Sequence, residues 1–72
     1  MRDARDGIAK EIERKGLKQG VVAHKAGLTA QQMSDIINKR RRMDANEMFR
    51  LCLVLDITPN DLFAEVPEQD AG

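Results

Sequence analysis

The chain has 72 residues, one cysteine, one histidine, and twelve acidic against twelve basic residues, giving a formal net charge of zero. A lone Cys52 excludes an internal disulfide, and one cysteine with one histidine cannot build a zinc site. The longest unbroken apolar run, Leu51 to Leu55, is far too short to cross a membrane.

This length supports one small domain with a modest core. The N-terminal residues Met1 to Asp6 are charged and have no apolar stretch behind them, so no signal peptide is expected, and the expected setting is cytoplasmic. Zero net charge conceals an asymmetry. Residues 1–42 hold eleven of the twelve Lys and Arg against five acids, leaving +6; residues 43–72 hold Arg50 against seven acids, leaving −6. Such a split suggests one face for an anion and a C-terminal part facing elsewhere.

No alternating apolar run signals a strand, whereas helical spacing recurs. The first helix is predicted from about Asp3 to Lys15, with Ile8 and Ile12 on one face, Gly16 as its stop and Leu17 packing inward at the joint. The second begins near Lys18, a poor N-cap, and presents Val22, Ala23 and Ala26 inward. Gly20 weakens it by about 1 kcal/mol relative to alanine. Gly27 ends it and Leu28 plugs the turn.

Thr29 and Gln32 have capping-box spacing and open a third helix, with Met33, Ile36 and Ile37 as its apolar side. Ala30, Gln31, Gln32, Ser34 and Asp35 lie mostly away from the core. After the basic run Lys39-Arg40-Arg41-Arg42, Asp44 and Glu47 repeat the capping-box pattern and open a fourth helix. Met48, Leu51, Cys52 and Leu55 recur along it at core spacing, and Asp56 closes it. Thr58-Pro59 launches a short fifth helix carrying Leu62 and Phe63 and ending at Pro67. Residues 1–66 are expected to form the domain and 67–72 a flexible tail.

Around the first turn, a small residue (Ala23) stands where two steeply crossing helices approach. Gly27 tolerates positive φ, and Leu28, Met33 and Ile36 lock the pair. A polar helix then runs into positive charge, an arrangement suited to a DNA groove. His24 lies on the outer side of the second helix, Cys52 reads as core, and Met33, Met43 and Met48 as gap fillers. No nucleophile–base pair, phosphate-binding glycine loop or paired-carboxylate cleft is evident, so neither an enzyme nor a cofactor is expected.

Leu17-Lys18-Gln19, the turn from Ala23 through Leu28, and the segment Leu55-Asp56-Ile57-Thr58-Pro59-Asn60-Asp61-Leu62 together carry a family resemblance. From about Ile8 to Phe63 the chain resembles the phage-repressor, or Cro/C1-type, helix-turn-helix family. The resemblance implies an all-α, five-helix, lambda-repressor-like DNA-binding domain, with the helix-turn-helix at helices 2 and 3 and helix 3 in the major groove. It further implies that Ala30, Gln31 and Asp35 face base edges. Gln31 would pair with adenine, Ala30 would touch a thymine methyl, and Asp35 would accept from cytosine. Lys18, Gln19, Gln32, Asn38, Lys39, Arg40, Arg41 and Arg42 would hold the backbone, with Gln32 alternatively serving the capping box and Arg41 or Arg42 entering a narrow minor groove.

Two positions depart from the family pattern. Ile37 stands where an acidic residue is usual. Lys39 stands where glycine normally ends the helix, implying either a different loop path or a strained Lys39. The expected function is that of a prokaryotic or phage transcriptional repressor, homodimeric on double-stranded DNA, with dimer contacts around Leu62, Phe63 and Val66. The alternatives are an antitoxin or accessory subunit whose acidic C-terminal part binds a protein partner, and an interaction module that has lost DNA binding.

Overall fold

The computed structural model describes residues 3–63, with the side chain of Phe63 not included. Residues 64–72 lie outside the described residues, and with them the expected helix end at Pro67, the tail and Val66. Among the described residues the regular structure is all helical: α1 (Ala4–Arg14), α2 (Gln19–Lys25), α3 (Ala30–Ile37), α4 (Ala45–Leu55) and the short α5 (Pro59–Phe63).

The helix starts follow local chemistry. Asp3 caps α1 by accepting from the Arg5 backbone N–H at 2.9 Å. Thr29 with Gln32 and Asp44 with Glu47 form complete capping boxes on α3 and α4. At α2, Lys18 is extended and makes no side-chain cap bond, as its chemistry dictates.

The first four helices stop in one way. Each ends in a left-handed residue, at Gly16 (φ 65°), Gly27 (φ 76°), Lys39 (φ 64°) and Asp56 (φ 59°). The following N–H turns back to a carbonyl five residues earlier: Leu17 to Ile12, Leu28 to Ala23, Arg40 to Asp35 and Ile57 to Cys52, at 2.8–3.0 Å. This is the Schellman arrangement, which satisfies carbonyls that the helix end would otherwise orphan. Lys39 therefore adopts the strained conformation, with the loop following the path that a glycine there would give.

The core joins Ile8 and Ile12 of α1, Val22, Ala23 and Ala26 around α2, Leu28, Met33 and Ile36 around α3, Leu51, Cys52 and Leu55 of α4, and Leu62 of α5. Burial pushes the Cys52 thiol above its usual pKa, in keeping with a packing role. Two placements differ from the sequence expectation. Leu17 is 42% exposed, whereas Leu28, in the same place after an identical turn, is buried. Leu62 is fully enclosed against α1, so it fills the core and has no surface to offer a second chain.

Candidate nucleic-acid interface

The α2–α3 pair is fixed at its joint by backbone chemistry. Gly27 supplies the positive φ, and the Leu28 N–H donates to the Ala23 carbonyl at 2.8 Å. Leu28 then drops into the core beside Ala23. Arg50 of α4 adds a brace by donating from Nε to the Ala26 carbonyl at 2.8 Å. Sequence reading registered Arg50 only as a charge. The unfilled carbonyls at the end of α2 were the available signal, but the partner lies 24 residues away.

On α3, Ala30 and Gln31 are exposed on the first turn. Gln32 is committed to the capping box: its amide oxygen accepts from the Thr29 N–H at 2.9 Å, and its own N–H donates to Thr29 Oγ1 at 3.0 Å. Gln31 Nε2 donates to Asp35 Oδ1 at 2.9 Å, and the same oxygen accepts from Arg40 Nε at 3.0 Å. Arg40 Nη2 reaches Ser34 Oγ at 3.5 Å. Asn38 folds back on the helix, donating from Nδ2 to the Ser34 carbonyl at 2.8 Å. One turn of α3 thus holds a continuous polar chain from Gln31 to Arg40.

The basic run is less free than its sequence suggests. Lys39 Nζ pairs with Asp6 at 3.0 Å, both side chains about half exposed. Arg40 pairs with Asp35, as above. Arg41 turns inward: Nη2 donates to Glu47 Oε2 at 2.6 Å, and Glu47 is buried. That bond raises the Arg41 pKa above its ordinary value. The Arg41 carbonyl accepts from Arg5 Nη1 at 3.2 Å, and Arg5 is itself gripped by Asp3. Arg41 therefore ties the loop to α4 and α1, and the backbone or minor-groove contact expected from sequence would compete with these bonds. Reaching a phosphate would strip Glu47 of its counter-ion.

Arg42 is exposed and makes no hydrogen bond or ion pair with another described residue. The side chains of Lys18, Gln19, His24 and Lys25, on α2 and its approach, are likewise exposed and make no hydrogen bond or ion pair with another described residue. Around α2 and α3 the positive groups available to an anion are thus Lys18, Lys25 and Arg42, together with Lys39, whose solvent-facing pair with Asp6 can exchange at little cost, and the guanidinium donors of Arg40 that Asp35 and Ser34 leave over.

Among the described residues no helix is long and apolar enough to cross a membrane. Comparison with curated proteins and with solved structures gave no match. The family model for the Cro/C1-type HTH DNA-binding domain matches residues 8–68, a span that takes in the joint at Gly27, the polar face of α3 and the basic loop. With most of its length matched, the chain belongs to the Cro/C1-type helix-turn-helix DNA-binding domain family.

Proposed function

We propose that the chain is a sequence-specific double-stranded DNA-binding repressor of prokaryotic or phage type, with α2 and α3 as its helix-turn-helix and α3 reading the major groove. The observation that carries this reading is the outward face of α3. Ala30 and Gln31 stand exposed on its first turn, directly after the backbone-fixed joint, with exposed cationic residues before it on α2 (Lys25) and after it in the loop (Lys39, Arg40, Arg42). A groove-reading helix needs that combination: polar groups for base edges, and Lys or Arg at either side for the phosphates.

Lys18, Gln19, Asn38, Lys39, Arg40 and Arg42 would hold the DNA backbone. Selection of bound sites from a random duplex library tests the function directly. A defined site is expected, with affinity falling steeply as salt rises. Gln31→Ala should relax the preference at one base pair; equal weakening on all sequences would overturn the assignment of α3 as the reading helix.

Operators for such units are commonly two half-sites, which calls for a second copy of the chain. With Leu62 enclosed, the exposed ridge of α4 is the better-supported contact: Phe49 and Leu53 are 57% and 66% exposed, flanked by Asn46 and Asp56. The spacing of this ridge is symmetric about Leu51. Two antiparallel copies would place Phe49 against Leu53 and the Asn46 amide against the Asp56 carboxylate, a self-complementary contact of the twofold kind. Leu53→Lys should abolish co-binding of two copies on a two-half-site duplex and leave single half-site binding intact. Unchanged co-binding would overturn this interface.

A further inference from the structure

We infer that Asp35 is a positioning residue, which sets the sense of the Gln31 amide so that Gln31 reads adenine, and that it reads no base of its own. The inference rests on the DNA-reading role proposed for α3. Asp35 Oδ1 accepts simultaneously from Gln31 Nε2 at 2.9 Å and from Arg40 Nε at 3.0 Å. Its side chain is 27% exposed, against 58% for Arg40, so the carboxylate is sheltered beneath the groups it holds.

An ionised carboxylate accepts hydrogen bonds and donates none. It therefore admits the Gln31 amide in one sense only, with NH2 turned toward Asp35; the flipped amide would set two oxygens against each other. One amide hydrogen is used in this bond. The Gln31 oxygen and the second hydrogen remain, and they form the acceptor–donor pair that matches N6–H and N7 of adenine in the major groove.

Arg40 completes the device. A bare carboxylate on the groove-facing helix would be repelled by the phosphates. Arg40, fixed across it by the backbone turn in which its N–H donates to the Asp35 carbonyl at 2.8 Å, offsets that charge. Its remaining Nη donors are left for a phosphate. The Gln31–Asp35–Arg40 chain thus links the base-reading end of α3 to its backbone-holding end.

The test compares Gln31→Ala, Asp35→Ala and the double variant of the full chain on the selected site and on duplexes altered at each position. The expected result is that Asp35→Ala loses discrimination, on the order of tenfold, at the same base pair as Gln31→Ala. The double variant should lose no more there than Gln31→Ala alone. Loss at a different base pair, or additive losses, would overturn the proposal and restore Asp35 as a direct reader.

A DNA-free measurement separates this inference from the function on which it rests. The Gln31 side-chain amide resonances should differ between the wild type and Asp35→Ala, because the variant lacks the acceptor that holds Nε2 at 2.9 Å. Amide resonances that ignore the carboxylate would overturn the positioning role even if the chain binds DNA. If the coupling is present and the wild-type chain selects no site, the DNA-reading role falls and the positioning role falls with it.

Discussion

Gly7 in the middle of α1 lies against the backbone of Leu62 in α5: a Cβ built on Gly7 would sit 2.7 Å from the Leu62 carbonyl oxygen. The two helices meet here without an intervening side chain, which is why a glycine stands inside a helix that otherwise carries good helix formers. Gly7→Ala should gain about 1 kcal/mol of helix propensity and meet an overpacking cost of typically 1–3 kcal/mol, because the clash is with backbone. A lower urea midpoint is expected, and a raised midpoint would show that α5 yields without cost.

Gly20 is the contrasting case. A Cβ there would meet nothing within 4 Å. Gly20→Ala should stabilise the protein by about 0.5–1 kcal/mol through the helix term alone. Thermal unfolding should show a higher midpoint with DNA affinity unchanged.

Lys39 holds φ at 64°, a conformation that costs a side-chain-bearing residue about 1 kcal/mol or more. Lys39→Gly relieves that cost and loses the solvent-facing pair with Asp6, worth little. Folding stability should rise by about 1 kcal/mol while DNA affinity falls. Titration by fluorescence anisotropy at several salt concentrations should show a shallower salt slope. If both quantities fell, the loop would depend on the Lys39–Asp6 pair.

Arg41 and Arg42 are neighbours with opposite tasks, and variants should separate them. Arg42→Ala should weaken binding evenly across sequences and leave the melting temperature alone. Glu47→Ala removes the side-chain half of the capping box on α4 and the partner of Arg41, while the Asp44 bond to the backbone N–H of residue 47 remains. A reduced melting temperature in Glu47→Ala, with the slope of binding against salt preserved, is the expected pattern.

Acid stability should depend on Asp3. Its hydrogen bonds from the Arg5 side chain, and then from the Arg5 backbone N–H, hold its pKa at about 2, below the ordinary 3.8. A depressed carboxylate pKa contributes stability that is complete above the ordinary value and is lost as pH falls toward the folded one. The melting-temperature gap between wild type and Asp3→Ala should therefore be constant down to about pH 4 and shrink toward about pH 2. The Arg14 side chain lowers the Glu11 pKa, which contributes in the same direction. A gap that widens on acidification would contradict this origin.

The helices, their caps and the joint at Gly27 were legible in the sequence because each is decided within a few residues. Thr29 and Gln32, or Asp44 and Glu47, find one another at three-residue spacing, and Ile8, Ile12, Leu51 and Leu55 fall on one helical face wherever that face points. The same locality made Ala30 and Gln31 readable as an exposed pair. It also misled at Leu17, where apolar character suggested burial and the side chain is 42% exposed.

Tertiary structure decided which charges are free and which are used. The basic run Lys39 to Arg42 is uniform as a string, yet its members meet Asp6, Asp35, Glu47 and, among the described residues, no partner at all. Asp35 and Glu47 lie five and six residues from their partners, across the turn and at the next helix start, whereas Asp6 lies 33 residues from Lys39 on a face that only packing of the core brings near. Gly7 against Leu62 and Arg50 on the Ala26 carbonyl belong to the same class. Helix identity follows from short-range backbone and capping energies, whereas the partner of a charge depends on which surfaces the hydrophobic core draws into contact.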